Sequence, residues 1–217
     1  MGKSEEFIKD EKELYGKMFV DISYAIDNIS PFLDEEALRK RRYIVRLPHL
    51  KKYIDLLNSA QIQVSKESIL DFFKGNKYID LLEVYKHDNS DDIEQLKNCS
   101  KCECLNCTVE CDFDSCMGCK KGSHIASCDH KKINVTLHDN FMLDLNNNNT
   151  GQQSRYLVLA VLQDVKEDKK YIVIQNVKDK QIFILYYYTG ISEDTYGEIS
   201  DAAEFDYINA TFESVDY

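Results

Sequence analysis

All eight cysteines of this 217-residue chain fall in one run: Cys99-x2-Cys102-x-Cys104-x2-Cys107-x3-Cys111-x4-Cys116-x2-Cys119-x8-Cys128. His124 lies inside the run and His130 just after it. Three Cys-x-x-Cys units recur. That spacing lets two thiolates converge on one tetrahedral ion at about 2.3 Å, usually on a knuckle turn, so the chemistry it points to is zinc binding. Few apolar residues lie in the segment, Leu105, Val109, Phe113, Met117 and Ile125 among them. With so small a core, metal has to supply the folding energy.

The simplest partition holds about two zinc ions. Cys99 and Cys102 join Cys116 and Cys119 at one, in the spacing of a ribbon or treble-clef site. Cys104 and Cys107 join a later pair drawn from His124, Cys128 and His130 at the other. Cys111 is left over and can displace a neighbour or bridge the ions. The candidates outnumber the positions that two separate zinc ions offer, which leaves no vacancy for a water and favours a structural role over a catalytic one. Other chemistries fit less well. Disulfides need an oxidising compartment, and no secretion signal is present. Cys104-x2-Cys107-x3-Cys111 resembles part of a ferredoxin run but lacks the fourth spaced cysteine and its following proline. A cysteine store without a fixed fold is the remaining alternative. There is no His-Glu-x-x-His, no His-x-Glu partner for a Pro-Cys-x-x-Cys deaminase motif, no Gly-rich phosphate loop and no nucleophile elbow. No residue set reads as an enzyme active site.

Outside the run, Arg39, Lys40, Arg41, Arg42, Arg46, Lys51 and Lys52 form a basic stretch with Tyr43 and His49 interleaved. It can be a phosphate-binding helix face, which would suit a zinc-finger nucleic-acid binder using Lys120, Lys121, Lys131 and Lys132 as well. The better reading is a solvated face paired with the protein's own acids, because residues 1–98 carry 16 Lys/Arg against 19 Asp/Glu. Tyr186, Tyr187 and Tyr188 read as a strand with one ring inward. His49, His87 and His138 read as ordinary surface or turn residues.

The elements that must position these groups follow from periodicity. Phe7, Leu14, Met18, Ile22 and Ile26 mark one apolar helical face, and Pro31 ends that helix. Asp34 begins another, with Glu35 and Glu36 at the positive end of its dipole. Pro48 breaks or restarts it, and Leu50, Tyr53, Ile54 and Leu57 continue the apolar stripe. Ser65 reads as the N-cap of a short helix carrying Ile69, Leu70, Phe72 and Phe73, with Gly75 as its C-cap. One more helical run spans Tyr78 to Tyr85, and polar residues 87–98 read as a linker. Beyond the cysteines the period becomes two. Ile133, Val135 and Leu137, then Phe141, Leu143 and Leu145, read as a hairpin turning at His138, Asp139 and Asn140. Residues 146–151 read as a loop. Strands at Tyr156–Leu162, Tyr171–Val177 and Gln181–Tyr188 follow on short charged links, which favours antiparallel pairing. Asp201 and Glu204 form a capping box for a last helix that buries Phe205, Ile208 and Phe212.

The class implied is α+β: a helical N-terminal domain over 1–98, a central zinc-binding module over 99–132, and a C-terminal antiparallel sheet with a terminal helix over 133–217. Within the last part, Tyr156-Leu-Val-Leu-Ala-Val-Leu, Lys170-Tyr-Ile-Val-Ile and Ile199-Ser-Asp-Ala-Ala-Glu-Phe-Asp-Tyr-Ile resemble DUF1292, a bacterial domain family of unknown function. The resemblance covers roughly Tyr156 to Val215. It implies a sheet run ending in a capped helix and a low-GC Gram-positive origin, which the abundance of Lys, Asn and Ile suits. It implies no catalytic residue, and it says nothing of the cysteines.

The net charge of −11 is uneven: residues 133–217 hold six basic against 14 acidic side chains. So acidic a half does not grip nucleic acid through phosphates; it suits solubility or a partner with a basic surface. There is no signal peptide, no apolar stretch long enough to span a bilayer, and no Ser or Thr at Glu6 to complete a myristoylation signal after Gly2. The expectation is a cytoplasmic protein in which the Asn-x-Ser/Thr sites at Asn106, Asn134, Asn148 and Asn209 are idle. Its expected function is non-enzymatic: a zinc-stabilised binding or adaptor protein. A nucleic-acid binder and an iron–sulfur or redox protein are the alternatives.

Overall fold

Among the described residues, the first hundred form helices, and beyond them lie an antiparallel sheet and a terminal helix, which is the α+β class that the periodicities imply. The computed structural model describes residues 3–66, 75–109, 113, 120–146, 151, 153–191 and 193–217, leaving aside the side chains of 40, 66, 75 and 76. The chain divides into two units, Met1–Ser100 and Lys101–Tyr217. No described helix is long and apolar enough to cross a membrane.

The first unit contains α1 (Lys3–Ile29), α2 (Glu35–Lys40), α3 (Arg42–Lys66), α4 (Gly75–Asp88) and α5 (Ser90–Cys99). α1 buries Ile8, Tyr15, Met18, Ile22, Ala25 and Ile29, so its core face is rotated from the expected stripe, and Leu14 is left 53% exposed. Tyr15 takes that place because its ring does more than fill space. It meets Tyr53 edge-on at 5.4 Å, and Lys86 Nζ sits 4.9 Å over its face. Asp34 caps α2 as expected, accepting from Ala37 N at 2.7 Å. Pro48 does not break the next helix but lies inside α3. The single hydrogen bond it removes is outweighed by the apolar face that Tyr43, Leu50, Tyr53, Leu57 and Ala60 bury on either side of it.

Ser65 belongs to the last turn of α3, where its hydroxyl donates to Ile62 O. The short helix expected over Ile69–Phe73 lies outside the described residues, and Gly75 opens α4 instead of closing a helix. The supposed linker is α5. Ile93, Leu96 and Cys99 recur at helical spacing and are buried, while Asp91 and Asp92 sit in the first turn and Lys97 in the last. At the centre, Glu11 accepts a hydrogen bond from the Tyr53 hydroxyl and two from Lys86 Nζ, at 2.9 and 3.0 Å. One carboxylate thus ties α1, α3 and α4 together. Burial first and Glu11 second push the Tyr53 hydroxyl pKa up.

The second unit has β1 (Ser123–Cys128), β2 (Ile133–His138), β3 (Met142–Asn146), β4 (Gln153–Asp164), β5 (Lys169–Asn176), β6 (Ile182–Tyr188), β7 (Thr195–Glu198) and α6 (Ala202–Glu213). Strand order is β1-β2-β4-β5-β6-β7, with β3 also on β4. β2 and β3 are therefore not a hairpin. Both pair with the twelve-residue β4, β3 along 153–157 and β2 along 160–164. Asn140 at φ 57 turns the chain from one half of β4 to the other. A bulge between Val158 and Ala160 lets β4 serve two cores. Ala160, Leu162, Val173 and Ile184 face Ile208 and Phe212 of α6, whereas Val158, Val161, Ile172 and Ile174 form a second apolar cluster.

The α6 capping box is half built. Asp201 accepts from Ala203 N and Glu204 N as expected. Glu204, however, reaches across to Lys169 Nζ at 2.8 Å, Tyr171 Oη at 2.6 Å and Tyr186 Oη at 2.8 Å. Burial works against its charge, but these three donors hold its carboxyl below the usual range.

Candidate metal centre

A 3-10 turn over Glu103–Asn106, capped by Cys102 and Cys107, and the edge strand β1, which ends at Cys128, carry the described thiols of the second unit. Leu105 N donates to Cys102 O at 2.9 Å and Cys107 N to Cys104 O at 3.3 Å, so the chain folds back tightly at both cysteines. Leu105, within this turn, is buried, and so is Phe113. The turn lies against β1, and there Ile125 N donates to Cys102 Sγ at 3.4 Å. A sulfur thus satisfies an N–H of an edge strand that would otherwise invite another chain.

At the far end of β1 the chain reverses through Cys128, Asp129 and His130. Asp129 Oδ1 accepts from the N–H groups of Lys131, Lys132 and Ile133 at 2.7–3.1 Å. Burial opposes the charge on Asp129, but those donors pull its pKa below the usual range. His130 sits at φ 65, a conformation that non-glycine residues adopt at a cost. The reversal puts its N–H 3.4 Å from Cys128 Sγ, and its Nδ1 and Nε2 3.6 and 3.9 Å from Cys107 Sγ, so that sulfur lies alongside the imidazole ring.

Cys128 stands opposite Asn134 in the β1–β2 ladder. Asn134 is 1% exposed, and neither its Oδ1 nor its Nδ2 has a hydrogen-bond partner. Its amide is a buried donor on the strand position opposite Cys128, a place from which an outer-shell partner of a metal-bound thiolate could act. Thr136 and Gln163, on the same face, also keep buried side-chain oxygens without partners.

The remaining expected ligands are placed differently. Cys99 closes α5, with Gln95 Nε2 3.7 Å from its sulfur. Cys104 is half-buried in the turn. His124 stands opposite Leu137, on the α6 side of the sheet and so on the other face from Cys128. With His138, Lys101, Asp139 and Asp216 it lines a pocket of about 380 Å³. Burial, with Lys120 next, lowers the His138 pKa to about 4 against the pull of Asp139, and burial lowers that of His124 too. Cys111, Cys116 and Cys119 lie outside the described residues. Among the described residues no three His, Cys, Asp or Glu side chains converge into a ready-made metal site.

The basic stretch is largely engaged inside the first unit. Arg39 pairs with Glu35 at 2.6 Å, Arg46 with Asp92 at 2.8 Å, and Lys52 lies over the Tyr85 ring. Tyr43 is buried, and His49 Nδ1 lies 2.7 Å from Asn89 Oδ1. Lys51 is exposed, and the Lys40 side chain lies outside what is described. Near the cysteines, Lys120, Lys121 and Lys131 are exposed, whereas Lys132 covers the Tyr207 ring at 4.1 Å.

No protein-family model, curated protein or solved structure matches the chain.

Sequence reasoning missed two features of this centre. β1 is hidden because its Cys, His and Ser residues read as ligands and spacers, not as a strand. Asn134 alternates with Ile133 and Val135 and so reads as a solvent-facing position; nothing local signals that this face is buried.

Proposed function

We propose that this chain is a non-enzymatic, intracellular binding protein whose cysteine-rich segment is a structural zinc module of about two ions. The observation that carries the reading is that Cys107, Cys128 and His130, expected ligands far apart in sequence, meet at the reversal after β1. His130 holds its place there in a backbone conformation that non-glycine residues adopt at a cost. The donor set fits zinc: thiolates with an imidazole, a backbone N–H on Cys102 and on Cys128, and a buried amide opposite Cys128 in the ladder. When bound, zinc supplies folding energy to a segment with little core of its own. Sulfur-rich coordination also leaves the ion a poor Lewis acid. Ion pairs that Arg39 and Arg46 make with the protein's own carboxylates support a protein partner over a nucleic acid.

Elemental analysis of the chain, purified without added metal, tests this. About two equivalents of zinc are expected, and His130→Ala and Cys107→Ser should each lose about one. Less than one equivalent in the parent chain, or the visible absorbance of an iron–sulfur cluster, overturns it.

A further inference from the structure

The sheet is closed unevenly at its β7 edge. β6 runs from Ile182 to Tyr188, but β7 pairs only with Leu185 to Tyr188. Continued in register, β7 would set Ile199 against Ile184. The chain instead leaves the sheet after Glu198, because Asp201 must adopt the extended cap conformation that starts α6. Ile182, Phe183 and Ile184 are left with β5 on one side and, among the described residues, no strand on the other.

A groove of about 330 Å³ opens beside this bare edge, between Ile184, Ile199, Glu198 and the ring of Phe205. Ile182 and Phe205 are 41% and 38% exposed at its mouth. A bare strand edge presents alternating N–H and C=O groups, and an apolar hollow beside it takes the side chain of whatever pairs there. The rim is acidic at one end: Glu198 lines the groove and Asp201 follows it in sequence, while Lys178 and Lys180 stand on either side of Asp179 at the other.

We infer that the Ile182–Ile184 edge is a docking site for an extended peptide segment of a partner protein. The segment adds antiparallel to β6 in line with β7, places one large apolar side chain between Ile184, Ile199 and Phe205, and carries a basic residue at the end that meets Glu198. Extended backbone is required because the unpaired groups are those of a strand. A basic residue there is required because Glu198 lines the groove and residues 133–217 as a whole are acidic. The three-residue edge offers few hydrogen bonds, so the contact is weak and the apolar side chain decides it.

The inference rests on the binding half of the proposed function and not on its zinc. The experiment titrates a capped hexapeptide alternating lysine with valine and phenylalanine into the ¹⁵N-labelled full chain of measured zinc content. Saturable shifts are expected at Ile182–Leu185 and Glu198–Ile199. N-methylation of the peptide amides that face β6 should abolish them, replacing lysine with glutamate should weaken them, and Phe205→Lys should raise Kd about tenfold. Equal binding of the N-methylated peptide, shifts elsewhere, or no shifts in folded protein overturns the inference. So do the same shifts appearing with chain concentration alone, which would make a second copy the occupant. A missing zinc in that sample counts against the metal reading only.

Discussion

Two edges of one sheet are held in opposite ways. Toward β6, strand pairing is backed by carbon and carboxylate: Leu162, Val173 and Ile184 are buried against Ile208 and Phe212, and Glu204 gathers Lys169, Tyr171 and Tyr186. At β1 the neighbouring turn brings thiols, with Ile125 and Leu105 buried among them. If the proposed zinc is bound there, one edge is held by buried area and the other by fixed ligands, and only the second depends on what the solution holds. The helical unit uses the first device again: Glu11 gathers Tyr53 and Lys86 as Glu204 gathers its tyrosines and lysine.

Chelation should break the comparison most visibly. Removing zinc, or Cys102→Ser, should unfold residues 99–132 while α1 and α3 stay folded. Limited proteolysis would then cut near the cysteines and spare residues 3–66. Cutting that begins equally in both units contradicts a local metal staple.

In the apolar centre, Leu162→Ala leaves a cavity beside α6 and should cost about 3 kcal/mol in denaturant unfolding, whether or not metal is bound. A cost that vanishes in the chelated protein would mean that the two edges are not independent.

The carboxylate hubs come next. Glu204→Ala leaves the 2%-exposed Tyr171 without its acceptor and should destabilise by about 2 kcal/mol. Glu11→Ala should match it in the helical unit. A negligible loss in both would show the hubs to be ornament.

The smallest effect is on pH. His138 titrates near 4 in the folded chain and near its ordinary 6.5 when unfolded. The unfolded state therefore takes up the extra proton as pH falls through 6.5, and stability declines from there toward 4. At about pH 5.5 the loss should be about 1 kcal/mol relative to His138→Gln, compared by thermal unfolding. Parallel pH profiles for the two proteins contradict it.

Much of the fold was legible because apolar periodicity records burial. β4, β5 and β6 follow from alternation, and α6 from Asp201, Ile208 and Phe212. Reading failed where a residue does two jobs. Tyr15 displaced Leu14 because a ring can also hold a lysine, and Glu204 left its cap for three donors, Lys169, Tyr171 and Tyr186. The 87–98 segment was discounted for its polarity although Ile93, Leu96 and Cys99 sit at helical spacing. For the cysteines, residue type and spacing announce the chemistry. The partner of each sulfur depends on how β1 is paired, which local sequence does not carry.

X-ray absorption at the zinc edge of the purified chain tests the central claim most directly. The account predicts a sulfur-dominated first shell at about 2.3 Å with a nitrogen contribution at about 2.0 Å that disappears in His130→Ala. A shell dominated by oxygen or water, or one unchanged by that substitution, would contradict it.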